Sequence, residues 1–255
     1  DRMIESAFSG KSGKGTGEES ESSTQADKAD KDQGSGRQKS QQELQYSPNV
    51  MMFDMIFAQA FYLGGFGADF EDYKEGQGTI WMVETESEGE VNSFEAERAL
   101  LKKNTDGSRW WYISYRVENE NYEYEVLLNA DFEARKICFR DEEGSIQEYR
   151  YEGKDVSTSQ GQAGGETYYF ESEEDYEDYY QGTRTVTIGA GTYSSQYLKA
   201  DVSESGANII YEWWVTDEVP GKLVKFNYQN KQAGSDLRGE LKAVKMGYTT
   251  KFNSF

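Results

Sequence analysis

One stretch narrows the possible folds more than any other: Ser47-Pro48-Asn49-Val50-Met51-Met52-Phe53-Asp54-Met55-Ile56-Phe57-Ala58-Gln59-Ala60-Phe61-Tyr62-Leu63-Gly64-Gly65. It opens like a helix, with Ser47 able to cap and Pro48 suited to the first helical position, where no N–H is needed. It closes like one, because Gly64 can take the left-handed conformation that ends helices. Between these marks the apolar residues leave no face free. Asn49, Asp54 and Gln59 are five apart and, at about 100° per residue, point in three directions. A helix over Pro48–Leu63 reaches roughly 24 Å against a bilayer core of about 30 Å, and Asp54 in mid-span makes a crossing worse. The periodicity therefore predicts a rod enclosed by the rest of the fold, in preference to an ordinary core helix or a membrane-inserting segment.

After this helix the period changes from helical to twofold. Gly78–Glu84, Ser93–Lys103, Arg109–Val117, Tyr122–Leu128, Ala134–Arg140 and Ser145–Tyr151 read as strands. Turn chemistry separates them, as in Asn104-Thr105-Asp106-Gly107 and Asp141-Glu142-Glu143-Gly144. Tyr122, Tyr124, Val126 and Leu128 alternate with Glu123 and Glu125, the pattern of a sheet with one wet face. Arg184–Ile188, Tyr193–Val202, Asn208–Val215, Lys222–Tyr228 and Leu237–Met246 complete the set. The fold class is mainly β, an antiparallel meander with one hydrophobic helix.

Residues 1–45 stand apart. From Ser9 to about Gln45 the chain is Gly, Ser, Lys, Glu, Asp and Gln with hardly an apolar side chain. Such a composition cannot offset its ordering entropy and reads as a flexible tether ahead of a single domain at 46–255. At its tip Met3, Ile4, Ala7 and Phe8 line one side of a helix too short to be stable alone. Met3, Ile4 and Phe8 are candidate partner-docking residues, and a frayed terminus is the plainer alternative. The opening residues carry no charged n-region, apolar h-region or cleavage site.

Forty-seven acidic against 27 basic residues give a formal charge of −20. That opposes a nucleic-acid backbone or an anionic bilayer and favours basic proteins or cations. Histidine is absent, which removes His-based acid–base catalysis, Ser-His and Cys-His pairs and the commonest zinc ligand. The single cysteine, Cys138, excludes an internal disulfide and a cysteine-cluster metal site; between Ile137 and Phe139 it reads as a packed thiol. Gly10-Lys11-Ser12 lacks the first glycine of a phosphate loop, Glu5 standing in its place, and Gly189-Ala190-Gly191 lacks the rest of a dinucleotide fingerprint. Asp201-Val202-Ser203-Glu204-Ser205-Gly206 followed by Glu212 has calcium-loop spacing, yet its flanks read as strands where an EF-hand needs helices, so Glu204-Ser205-Gly206-Ala207 is better a hairpin turn. The unopposed run Glu171-Ser172-Glu173-Glu174-Asp175-Tyr176-Glu177-Asp178 fits no defined ion loop, though it could collect a cation or a basic partner. No catalytic residue, metal site or cofactor is expected, and no enzymatic activity.

Thr185-Val186-Thr187-Ile188-Gly189-Ala190-Gly191-Thr192-Tyr193, then Tyr211-Glu212-Trp213-Trp214-Val215, then Val219-Pro220-Gly221-Lys222-Leu223-Val224-Lys225-Phe226 follow a recurring order. Over about 184–228 the chain resembles bacterial cell-envelope proteins related to the LolA/LolB lipoprotein carriers. The resemblance implies an open, strongly curved antiparallel sheet, a half-barrel, closing round the helix at 48–63. It also implies a periplasmic or otherwise extracytoplasmic location and, in the carriers, a cavity for acyl chains. No catalytic residue comes with it.

The expected function is a non-enzymatic binding or structural subunit of an envelope assembly with a protein partner; the alternative is a periplasmic carrier of a lipid or other hydrophobic ligand. Trp110 and Tyr112 alternate with Trp111 and Ile113, and Trp214 stands opposite Trp213. If the second set is core, then Trp110, Tyr112 and Trp214 are left on the outer face, where exposed aromatic groups anchor interfaces.

Overall fold

Ser47 caps as its chemistry suggests: its Oγ accepts from the Val50 N–H at 3.4 Å, with Pro48 first in the helix. The computed structural model describes residues 37–67, 70–151, 168–169, 177–204 and 207–255. Of the two units into which the chain divides, Asp1–Ser35 and Gly36–Phe255, all described residues belong to the second. Met3, Ile4 and Phe8, the tether up to Gly36, most of the acidic run and the turn at 205–206 lie outside them.

The last residues of the stretch read as tether are helical. Residues 41–44 form α1 (Gln41–Leu44), held by a reciprocal capping box between Ser40 and Glu43, with Leu44 fully buried. Its Gln41 caps a sheet edge described below. The hydrophobic helix α2 runs Pro48–Phe61. A 3-10 turn, Leu63–Gly65, follows it, and there Gly64 takes the left-handed conformation (φ 59°).

Among the described residues, eleven strands form one antiparallel sheet: β2 (Gln77–Ser87), β3 (Glu90–Lys103), β4 (Arg109–Val117), β5 (Glu120–Leu128), β6 (Ala134–Arg140), β7 (Ile146–Arg150), β9 (Tyr180–Ile188), β10 (Gly191–Glu204), β11 (Ala207–Val215), β12 (Leu223–Asn230) and β13 (Ser235–Met246). A short parallel pair, β1 (Phe66–Gly67) with β8 (Tyr168–Tyr169), stands beside it. The order is β7-β6-β5-β4-β3-β2-β13-β12-β11-β10-β9. Two meanders are thus joined where β2 meets β13, from Ser235 opposite Ser87 to Met246 opposite Gln77. Each expected strand is present, its ends shifted by a few residues at most. Register shifts at Leu100/Lys102, Gln196/Leu198, Trp214/Val215 and Leu241/Ala243 bend the ladder. The two ends do not meet, so the sheet is open.

The inner face is covered in two halves. Phe53, Ile56, Phe57, Ala60 and Phe61 of α2 pack onto Leu100, Trp111, Ile113, Tyr124, Val126, Ile137 and Phe139 of β3–β6. Leu63 and Phe66 lead over to the second half, with Trp81, Val83, Trp213, Phe226 and Leu241. The Trp213 indole N–H donates to the Gly64 carbonyl at 3.0 Å, and the Phe226 ring lies against two glycines. A Cβ at Gly64 would sit 2.2 Å from that ring, and one at Gly239 would sit 2.0 Å from it.

The helix is not enclosed on every side, contrary to expectation. Its buried residues fall at i, i+3, i+4, i+7 and i+8, one face only. Met51 is 69% exposed and Met55 39% exposed, with Asp54 exposed between them. Polarity did not distinguish the two faces because both are apolar; shape does, with aromatic and branched chains inward and thioethers outward.

At the β7 edge, Gln41 Nε2 donates to the Glu148 carbonyl and Gln41 Oε1 accepts from the Arg150 N–H, both at 2.8 Å. Asp141 braces the same corner, accepting from the Ser145 N–H (2.9 Å) and Gln147 Nε2 (2.9 Å) and pairing with Lys39 Nζ (3.0 Å). Burial works to raise the Asp141 carboxyl, but those donors outweigh it and hold it below the ordinary carboxylate value. A carboxyl depressed in the folded state contributes stability that is complete above its unfolded value of about 3.9 and is lost as pH falls through the lower folded value.

Two outcomes are expected. Gly239→Ala costs about 2–3 kcal/mol in urea unfolding, and adding Phe226→Leu recovers part of that loss, a non-additivity that unrelated sites would not show. For Asp141→Asn, the stability gap to wild type is larger at pH 7 than at pH 3 in chemical denaturation; equal gaps would mean that the carboxylate charge is not what braces the corner.

Candidate interaction surfaces

In β3, Phe94, Ala96, Arg98 and Leu100 share a face by strand alternation, and that face is the core. Arg98 is 2% exposed. Its Nη1 donates to the Ala60 carbonyl in the last turn of α2 at 2.7 Å and its Nε to Tyr73 Oη at 2.8 Å. The guanidinium also lies over the Phe70 ring, 4.8 Å from its centre. Tyr73 Oη is in turn 2.8 Å from Thr79 Oγ1. Every group here is engaged with its neighbours, so Arg98 fixes the helix rather than offering a reactive centre.

The free stripe of α2 is the first exposed candidate. Met51, Asp54 and Met55 stand at i, i+3 and i+4, with Val50, Met52 and Tyr62 half-buried beside them. Partial loss of surrounding water pushes the Asp54 carboxyl above its ordinary value, so a cation brought to it would be welcome. The sequence reading missed these residues. Their signal was the gathering of Met51, Met52 and Met55 on the side away from the phenylalanines.

The outer face holds the residues the sequence did single out, but not in the open. Trp110 is 4% exposed and Tyr112 2%, a correction to the expectation that both face water. The segment 247–255 lies over them. Phe252 packs with Leu101, Trp110 and Cys138, Tyr248 lies against Tyr112, and the Phe255 ring is 5.6 Å from Trp110. Lys136 Nζ stands 4.8 Å from the centre of the Trp110 ring. Trp214, 8% exposed, is likewise packed, with the Tyr197 ring at 5.1 Å and Lys225 Nζ at 5.6 Å. The structure thus puts Trp110 and Tyr112 side by side and Trp214 in a separate cluster; Met3, Ile4 and Phe8 lie outside the described residues.

Glu125 latches this cover. Its carboxylate is fully buried and accepts from Thr250 Oγ1 (2.7 Å), the Phe252 N–H (3.3 Å), the Lys251 N–H and Ser254 Oγ. Beside it, burial works to raise the Glu123 carboxyl, but Lys251 and the Tyr112 hydroxyl outweigh this and hold it low. Burial first, then Glu123, pushes the Tyr112 hydroxyl far up. Burial also takes the Cys138 thiol up to about 11, leaving it inert near neutrality. Burial, and then the carboxylate of Glu212, pushes the Tyr197 hydroxyl up to about 12.

Among the described residues, no three or more Cys, Asp or Glu are grouped to hold a metal ion, and no helix is long and apolar enough to cross a membrane. The would-be calcium spacing falls on the β10–β11 hairpin, where Glu204 pairs with Ala207.

The sequence matches no family model and no curated protein. Solved structures it resembles include a protein described as exported, with a YmcC-like fold, from Bacteroides fragilis (11% identity, 70% of this chain and 99% of that one, TM-score 0.36). Another is the Pseudomonas aeruginosa MucA/MucB complex (10% identity, 77% of this chain and 56% of that one, TM-score 0.35). A third is an outer membrane lipoprotein-sorting protein domain from Vibrio parahaemolyticus (6% identity, 69% of this chain and 87% of that one, TM-score 0.28).

Glu125→Ala strands four donors of the closing segment. It is expected to cost about 3 kcal/mol and to raise the rate at which a thiol reagent modifies Cys138 at least about tenfold. An unchanged rate would show that the segment does not depend on this carboxylate.

Proposed function

We propose that this chain is a non-enzymatic, extracytoplasmic binding subunit of a bacterial cell-envelope assembly that meets a protein partner through the free face of α2. The observation carrying this reading is the exposed apolar stripe Met51–Met55 on a helix whose other face is fully committed to the core. Thioether chains are flexible and polarisable and suit adaptable protein contacts. Asp54, partly desolvated between them, favours a partner that brings a lysine or arginine to the centre of the contact. The envelope location rests on the resemblance of residues 184–228. Absence of catalysis is supported by the use of the buried carboxylate Glu125 to hold the closing segment and of Arg98 to hold α2.

The alternative, a carrier of a hydrophobic ligand, needs room between sheet and helix. In that space the rings of Phe61, Phe70, Trp111 and Phe132 meet at 5.0–6.3 Å, which favours the protein-binding reading.

A photo-crosslinking amino acid at position 51, compared with one at the exposed but distant Val91, tests it in the envelope fraction of the cells that make the protein. The expected result is one protein adduct from position 51, identified by mass spectrometry and absent from position 91. Met51→Ala with Met55→Ala then weakens binding of that partner about tenfold, roughly 1.4 kcal/mol. Lipid adducts alone would support the carrier, and no adduct would remove the α2 surface.

A further inference from the structure

The two edges of the sheet are finished differently. On β7 the side chain of Gln41 takes both a backbone carbonyl and a backbone N–H, while Gln147 reaches the Arg37 carbonyl and accepts from the Lys39 N–H. On the other side, among the described residues, the sheet ends at β9, whose ladder partner is β10, and the turn that follows β9 rests on β13, the Ala190 N–H donating to the Leu241 carbonyl at 3.1 Å. Among the described residues, no hydrogen bond from outside β10 reaches the backbone of 183–188. A strand paired on one side alone turns alternate N–H and C=O groups outward.

β9 is also well suited to receive a neighbour. From Thr183 to Ile188 its register with β10 is unbroken. The run Thr183-Arg184-Thr185-Val186-Thr187-Ile188 is rich in β-branched residues and has no proline. Thr183, Thr185 and Thr187 are exposed. Edges commonly refuse partners with proline or a projecting lysine. Here the one charge, Arg184, is laid over the Tyr197 ring, 3.4 Å from its centre, and so does not stand guard.

We propose that Thr183–Ile188 is a docking edge that accepts an extended, basic segment of a protein partner as an added strand. Backbone pairing supplies the attraction and the flanking charge selects the occupant. Exposed Glu177 and Asp178 lie immediately before β9, on a chain of formal charge −20. A second copy would bring an equal charge and the same two carboxylates to the edge and be repelled, whereas lysines or arginines flanking a β-prone run would be drawn in. The site is separate from the α2 stripe, so either can fail without the other.

Three synthetic probes test the edge on the full chain. One is a Thr-Val-Thr-Val-Thr peptide flanked by paired lysines, the second replaces the lysines by glutamates, and the third keeps the lysines but has a central proline. In the free protein, alternate amides of Thr183–Ile188 should exchange fast with deuterium. The lysine probe should slow them and bind at least about tenfold more tightly than the other two, and Thr183→Lys with Thr185→Lys should weaken it at least about tenfold. Equal binding of the proline probe would reduce the effect to charge alone and overturn the proposal. Protection of these amides before any probe is added would mean that the chain covers its own edge, and a dimer with protected β9 amides would assign the edge to a second copy. Either result overturns it, as does probe binding that protects other strands.

Discussion

A guanidinium in a dry core is expensive unless its surroundings replace water, and the placement of α2 follows from how Arg98 is satisfied. Its hydrogen bonds to Ala60 and Tyr73 run to neutral oxygens. The negative end of the helix dipole at the last turn of α2 and the ring faces of Phe70 and Tyr73 also favour the charge there. The helix C-terminus therefore has to stand over β3, with the Phe70–Tyr73 loop beside it. A leucine at this position would pack but would leave the orientation of the helix less determined.

With its last turn fixed over β3, a helix of fourteen residues can cover β3 to β6 and no more. The second half of the inner face falls to the 3-10 turn and β1, and here glycine becomes necessary. The Phe226 ring occupies the space that side chains at Gly64 and Gly239 would need, so turn and sheet approach to backbone contact and the Trp213 N–H reaches the Gly64 carbonyl. Because the helix lies across one half rather than along the axis of a closed barrel, its far side remains in water. The thioether stripe is thus a consequence of the same anchoring that holds the aromatic face down.

Much of this was legible from residue order. Strand alternation placed Trp111, Ile113, Tyr124 and Val126 inward, and Gly107 and Gly144 mark turns at φ 84° and 81°. The parity that put Phe94, Ala96 and Leu100 in the core also put Arg98 there, a signal that composition alone hides. The full enclosure of α2 was overestimated because spacing of polar residues cannot separate a phenylalanine face from a methionine face. The capping box at Ser40 and Glu43 accompanies one buried residue, Leu44, too little for any periodicity to register. Trp110 and Tyr112 were correctly assigned to the outer face, but their cover comes from residues more than 130 positions away, and no local pattern encodes that contact.

The charge of the molecule bears on both exposed surfaces. Lysines and arginines along the outer face meet carboxylates across the ladder, as in Lys225–Glu240, Lys136–Glu148 and Arg238–Glu86. Exposed pairs of this kind each add little stability. What they do is leave the excess acidic residues unneutralised, so the body as a whole carries a negative field while the α2 stripe and the β9 edge present few charges of their own. Long-range attraction and short-range fit are then supplied by different groups. The field gathers cationic partners from a distance at a rate that falls with salt, and thioether contact or backbone pairing decides which of them remain. Asp54 on the stripe and Glu177 and Asp178 before the edge are the points where the two meet, each a carboxylate beside a surface with few charges of its own.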